Sequence, residues 1–153
     1  YRPYHERLHA LLEDRQQRFG FAILLCAHSM PSEPRPRVGR QERLGPHPAT
    51  ERRADVVPGS QGRTTAADAV VDCPADLAME RGWTVAHDVP YRGGFSTVHY
   101  GRPARRIHAI QVELSRALYM DEATLQRLPG RFEGVRAFCG SLVTRLSRLD
   151  LAS

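Results

Sequence analysis

The sequence predicts an α/β layered domain, and three observations carry that prediction. Residues 21–27 are a short continuous apolar run, and 107–114 an alternating apolar one, both of the kind that become strands. Residues 4–19 and 132–149 repeat apolar side chains at the three- or four-residue spacing of a helix face. These helical and strand patterns interleave along the chain, the order that packs helices against a sheet.

In residues 4–19, Leu8, Leu11, Leu12 and Phe19 form an apolar stripe, and Gly20 supplies a helix stop. The strand at 21–27 runs out into His28-Ser29-Met30-Pro31-Ser32. Residues 33–53 shift to Pro, Arg and Gly, a loop long enough to be functional or mobile. A short strand is expected at 54–57, closed by Pro58-Gly59. Thr64 or Thr65 is expected to cap a helix over 66–81 that ends at Gly82, with a kink or break at Pro74.

Residues 83–89 read as a further strand, and 90–94 as a loop whose two glycines reach backbone conformations closed to other residues. Residues 95–100 read as a short strand. After the strand at 107–114, Asp121 can cap a helical turn that holds Glu122. The last helix presents Phe132, Val135, Cys139, Leu142, Val143, Leu146 and Leu149 to the sheet.

At 153 residues and 41% hydrophobic, the chain has the size of one ordinary domain, spanning 1–153. No run approaches the roughly 18 apolar residues of a membrane helix, and no signal-peptide pattern occurs. Cys26, Cys73 and Cys139 are odd in number and scattered, which suits buried, reduced thiols in a cytoplasmic protein. The net charge is +5, and all 22 basic residues are arginine. The arginine-rich stretches 35–53 and 102–106 lack the aromatics that single-strand binders stack on, so no nucleic-acid partner is expected. Tyr1 in place of an initiator Met gives the expectation of a truncated N-terminus.

Two residues stand where strands end, which is where α/β enzymes place working groups. His28 is either a metal ligand or a hydrogen-bonded histidine at the edge of a core. Glu113 is either a general base or a charged residue at a solvent boundary. Arg92 has the planar fork that binds carboxylates, and equally suits a solvated surface. On an extended strand His108 and Glu113 face opposite sides. No HxxE, CxxC, P-loop or GxSxG pattern occurs.

Four blocks in one order are more specific: AHSMPS at 27–32, RADVVPGSQGRTTAADAV at 53–70, PYRGGFSTVHYGRP at 90–103 and HAIQVELSRALYMDE at 108–122. Together they resemble the N-formylglutamate amidohydrolases, from about residue 21 to the end. The resemblance implies a relative of the zinc carboxypeptidases and aspartoacylase, with a phosphorylase/hydrolase-like three-layer α/β/α sandwich around a mixed sheet. It implies zinc held by an early HxxE-type pair and a later histidine, matched by His28. It makes Glu113 the base that activates water, and sets Arg92, Arg116 and Tyr119 around a substrate carboxylate or developing oxyanion.

The implied reaction is zinc-dependent hydrolysis of N-formyl-L-glutamate to formate and glutamate, the last step of one histidine-degradation route. Two departures qualify it. Only one zinc ligand is evident where three are usual, so the others are expected in an absent N-terminal segment. On that expectation the chain alone binds zinc weakly and turns over poorly. The block at 58–62 also lacks an acidic residue after its first glycine. The alternatives are a deacylase or peptidase of the same fold on another N-acyl amino acid, and a non-catalytic basic binding module.

Overall fold

The computed structural model of the protein describes residues 1–34 and 52–151. Most of the loop expected at 33–53 therefore lies outside the described residues. Helix α1 (Arg2–Phe19) ends at Gly20, whose φ of 82° is left-handed and whose N–H donates to the Gln16 carbonyl. Strand β1 (Ala22–Met30) follows, then β2 (Val56–Gly59) and α2 (Asp68–Met79). Helix α3 (Phe95–Tyr100), β3 (Ile107–Ser115) and α4 (Pro129–Leu146) complete the order, with 3-10 turns on either side of β3.

The sheet is mixed, in the order β1-β3-β2, with β1 parallel and β2 antiparallel to β3. Central β3 is buried along its whole length, its polar His108, Gln111, Glu113 and Ser115 included. Alternate residues feed two cores. Ile110, Val112 and Leu114 pack with α2 and α4 residues such as Val70, Leu77, Phe138 and Leu142. Ile107 and Ala109 pack with Leu12 of α1 and Tyr100 of α3. Helices thus lie against both faces, and each fully buried Leu, Ile or Phe contributes about 1.5–3 kcal/mol. No helix of the described residues is long and apolar enough to cross a membrane.

Several expectations need correction. Residues 95–100 form a helix: Thr97 and Tyr100 are buried at helical spacing, and Phe95 stacks on His99 one turn away. Residues 83–89 make one bridge, Val85 to Val56, in place of a strand. Hydrogen bonds from Val56, Ala86 and Asp88 N–H groups still lay that segment along β2, until Asp88 turns left-handed with φ 60°. Pro58 and Gly59 belong to β2, an edge strand, where a proline costs no shared ladder bond.

Neither threonine caps α2. Thr65 Oγ1 donates to the Ala109 carbonyl and Thr64 Oγ1 to that of Gln61, while the cap residue is Ala67. Pro74 sits inside α2 without dividing it. On α4 the buried stripe is Val135, Phe138, Leu142 and Leu146, leaving Cys139 and Val143 exposed. Cys26 is half-buried, so Cys73 alone of the three free thiols is buried.

Candidate active site

Strands β1 and β3 run parallel and end at one edge of the sheet, where open α/β sheets bind ligands. β1 continues through Met30, so His28 lies within the strand and not in the loop beyond it. Its Cα partner on β3 is Glu113. His28 Nδ1 stands 3.9 Å from Glu113 Oε1, with side-chain exposures of 54% and 7%. The imidazole is open to solvent and the carboxylate is not. Burial pushes the Glu113 pKa up, while His28, a hydrogen bond from Gln111 and the charge of Arg53 pull it down.

Gln111 was absent from the sequence candidates, although its place two residues before Glu113 puts both on one strand face. It is buried, and its Nε2 donates to Glu113 Oε1 at 2.9 Å. Gly94 N–H donates to Gln111 Oε1 at 2.9 Å, which brings the 90–94 loop to the same point. Arg92 lies exposed on that loop. The loop rests on Gly59, where an added Cβ would come within 2.6 Å of Gly93 N. The carboxylate of Asp88 accepts the Ser60 and Gly62 N–H groups, both at 2.7 Å. An acidic group therefore reaches the 58–62 turn from another segment.

The other wall begins directly after β3. Arg116 Nε is 3.3 Å from Glu122 Oε1, close enough for an ion pair but not aligned as a hydrogen bond. Glu122 accepts the Ser32 N–H at 3.0 and 3.2 Å and its hydroxyl as well, so it joins the turn after β3 to the end of β1. Arg53 Nη1 donates to the Pro31 carbonyl at 3.2 Å, and its guanidinium lies 5.5 Å from the centre of the Tyr91 ring. Neither Arg53 nor Glu122 is recognisable as a site residue from sequence, because their partners are distant along the chain and leave no local periodicity. Tyr119 is half-buried with its ring against Phe132, 6.3 Å between centres. Asp121 Oδ1 caps a turn, accepting the Ala123 and Thr124 N–H groups, but no helix follows at once.

His108 occupies the opposite face of β3, where its Nδ1 accepts the Ala67 N–H at 3.2 Å. The donor set decides how far a metal fits. His28 offers one accessible imidazole beside a carboxylate. Among the described residues, no group of three or more His, Cys, Asp or Glu side chains could hold a metal ion. A catalytic zinc ion takes three protein ligands, so His28 fits as one donor of a set that the described residues do not complete.

A family model for N-formylglutamate amidohydrolase matches residues 1–120. An N-formylglutamate deformylase of Pseudomonas putida is 30% identical over 123 residues, which is 80% of this chain and 42% of that protein. One from Pseudomonas aeruginosa is 31% identical over 121 residues, 78% of this chain and 41% of its own. The crystal structure of an N-formylglutamate amidohydrolase from Ralstonia eutropha is similar with a TM-score of 0.74 and 35% identity, over 96% of this chain and 49% of that one. The chain thus spans about half the length of the relatives it matches. The family match begins at α1, ahead of the expected start near residue 21, and stops short of α4. It takes in both strands on which His28 and Glu113 meet, and the chain belongs to the N-formylglutamate amidohydrolase family.

Proposed function

We propose that the chain carries the water-activating half of a zinc-dependent centre that hydrolyses N-formyl-L-glutamate to formate and glutamate. The pairing of an accessible His28 with a buried Glu113 across two parallel strand ends is the observation that supports it. Zinc, when bound, supplies a Lewis acid for the formyl carbonyl and for water. His28 would hold it through one imidazole nitrogen, with the remaining donors from outside the described residues.

Glu113 takes a proton from water as the water oxygen bonds to the formyl carbon. The C–N bond then breaks, and Glu113 returns that proton to the departing nitrogen. The products are glutamate with a free amine and formic acid, which ionises to formate. Arg92, on the loop tied to Gln111, and Arg116, directly after β3, are assigned the two carboxylates of the substrate, with the Tyr119 hydroxyl as a further partner. Free thiols suit a cytoplasmic setting.

Formate release should be measured with N-formyl-L-glutamate and N-acetyl-L-glutamate in parallel, with zinc supplied. Preference for the formyl compound supports the reading. Faster release of acetate would favour a deacylase of the same fold, and release of neither by a protein that also carries the remaining zinc donors would overturn hydrolysis.

A further inference from the structure

Gln111 is buried, and both ends of its side-chain amide are engaged. Its orientation is not arbitrary. The Gly94 N–H can only donate, so it must meet Oε1, and an ionised Glu113 can only accept, so it must meet Nε2. Two bonds of 2.9 Å therefore run from the loop that carries Arg92 to the carboxylate of Glu113.

The loop has little room to move against the sheet. Gly59, the Cα partner of Gln111, brings β2 into close backbone contact with Gly93. Gln61 fastens the same turn: its backbone N–H donates to the Arg92 carbonyl and its Nε2 to the Gly93 carbonyl, both at 2.8 Å. One side chain, Gln111, conveys that fixed position to Glu113.

We infer that Gln111 is a positioning residue that sets the carboxylate of Glu113 and the Arg92 loop in one geometry. Resting on the reading of Glu113 as the base, the inference adds which oxygen does the work. With Oε1 held by Gln111, Oε2 is the atom that meets water.

Two variants separate the two ends of the bond chain. Gln111→Met keeps the length and loses both bonds. Gln111→Glu keeps an acceptor for Gly94 but sets a second carboxyl against Glu113. Gly94 amide exchange by NMR and steady-state formate release are the readouts. In Gln111→Met, Gly94 exchange should speed up about tenfold, kcat should fall about tenfold or more, and KM should rise. In Gln111→Glu, exchange and KM should stay near those of the unsubstituted protein while kcat falls as far, a split that a merely structural role would not give.

Unchanged Gly94 exchange in Gln111→Met overturns the inference whatever the activity. So does an unchanged kcat in Gln111→Glu. Absence of formate release by an unsubstituted protein that also carries the remaining zinc donors, with Gly94 exchange responding as described, would overturn the hydrolytic role and leave only the bond chain.

Discussion

His28 Nδ1 and Glu113 Oε1 lie 3.9 Å apart because their residues are register partners on neighbouring parallel strands. Backbone pairing, not a flexible loop, sets this distance, and a one-residue slip would turn one of the two side chains to the other face. Burial raises the Glu113 pKa despite the opposing pull of His28, Gln111 and Arg53. The base is therefore protonated at pH values where an ordinary glutamate is ionised. In the zinc-free protein the Glu113 carboxyl, followed by NMR, should titrate above the ordinary glutamate value, and a midpoint at or below it would contradict this.

Zinc affinity tests the donor set. With one imidazole and no third donor among the described residues, the chain should bind zinc with a dissociation constant above about 1 μM in calorimetric titration. His28→Ala should remove what binding there is. Tight stoichiometric binding that survives His28→Ala would mean that the ion sits elsewhere.

Arg92 is exposed and Arg116 half-buried, the latter held by Glu122. Arg92→Met should raise KM for N-formyl-L-glutamate about tenfold with little change in kcat, since a carboxylate contact serves ground and transition states alike. Glu122→Gln weakens the charge that holds Arg116 and should also raise KM. Unchanged KM in both variants would place the substrate carboxylates elsewhere.

Gly59 tests the seat of the 90–94 loop. A Cβ there would meet Gly93 N at 2.6 Å and the Tyr91 carbonyl oxygen at 2.9 Å, both backbone atoms that cannot swing aside. Gly59→Ala should cost about 1–3 kcal/mol in urea denaturation and loosen the loop. An alanine variant as stable as the original would show that the two backbones are not in close contact.

His108 gives a pH signature of stability. Burial pushes its pKa below the ordinary histidine value. The unfolded chain takes up a proton near about pH 6.5 and the folded chain only at lower pH. The unfolded state thus binds more protons in that window, and stability falls as the pH falls through it. His108→Gln should reduce the drop between denaturation measured at pH 7.5 and at pH 5, and an equal drop in both proteins would contradict it.

Elements that bury a continuous run, or a clear stripe, were legible in the sequence. Ile107–Ser115 lies where its alternation places it, Ala22–Met30 starts with its apolar run and continues three residues past it, and Leu142 and Leu146 hold α4 to the core. Short segments were not legible. Phe95–Tyr100 is too short to show a period of its own, and its burial at Thr97 and Tyr100, behind the extended cap residue Gly94, goes with a helix. Cys139 and Val143 fit a stripe on paper, whereas Phe138 takes the buried place opposite Trp83. At the site, His28 and Glu113 could each be named singly. Their register pairing, and the links made by Gln111, Glu122 and Arg53, come from partners distant in sequence.

Formate release by the Glu113→Gln protein, beside the unsubstituted protein at matched zinc, tests the central claim most directly. The amide cannot take a proton from water, so the rate should fall about a hundredfold or more while zinc affinity and folding persist. A Glu113→Gln protein that releases formate at the unsubstituted rate would show that Glu113 is not the base.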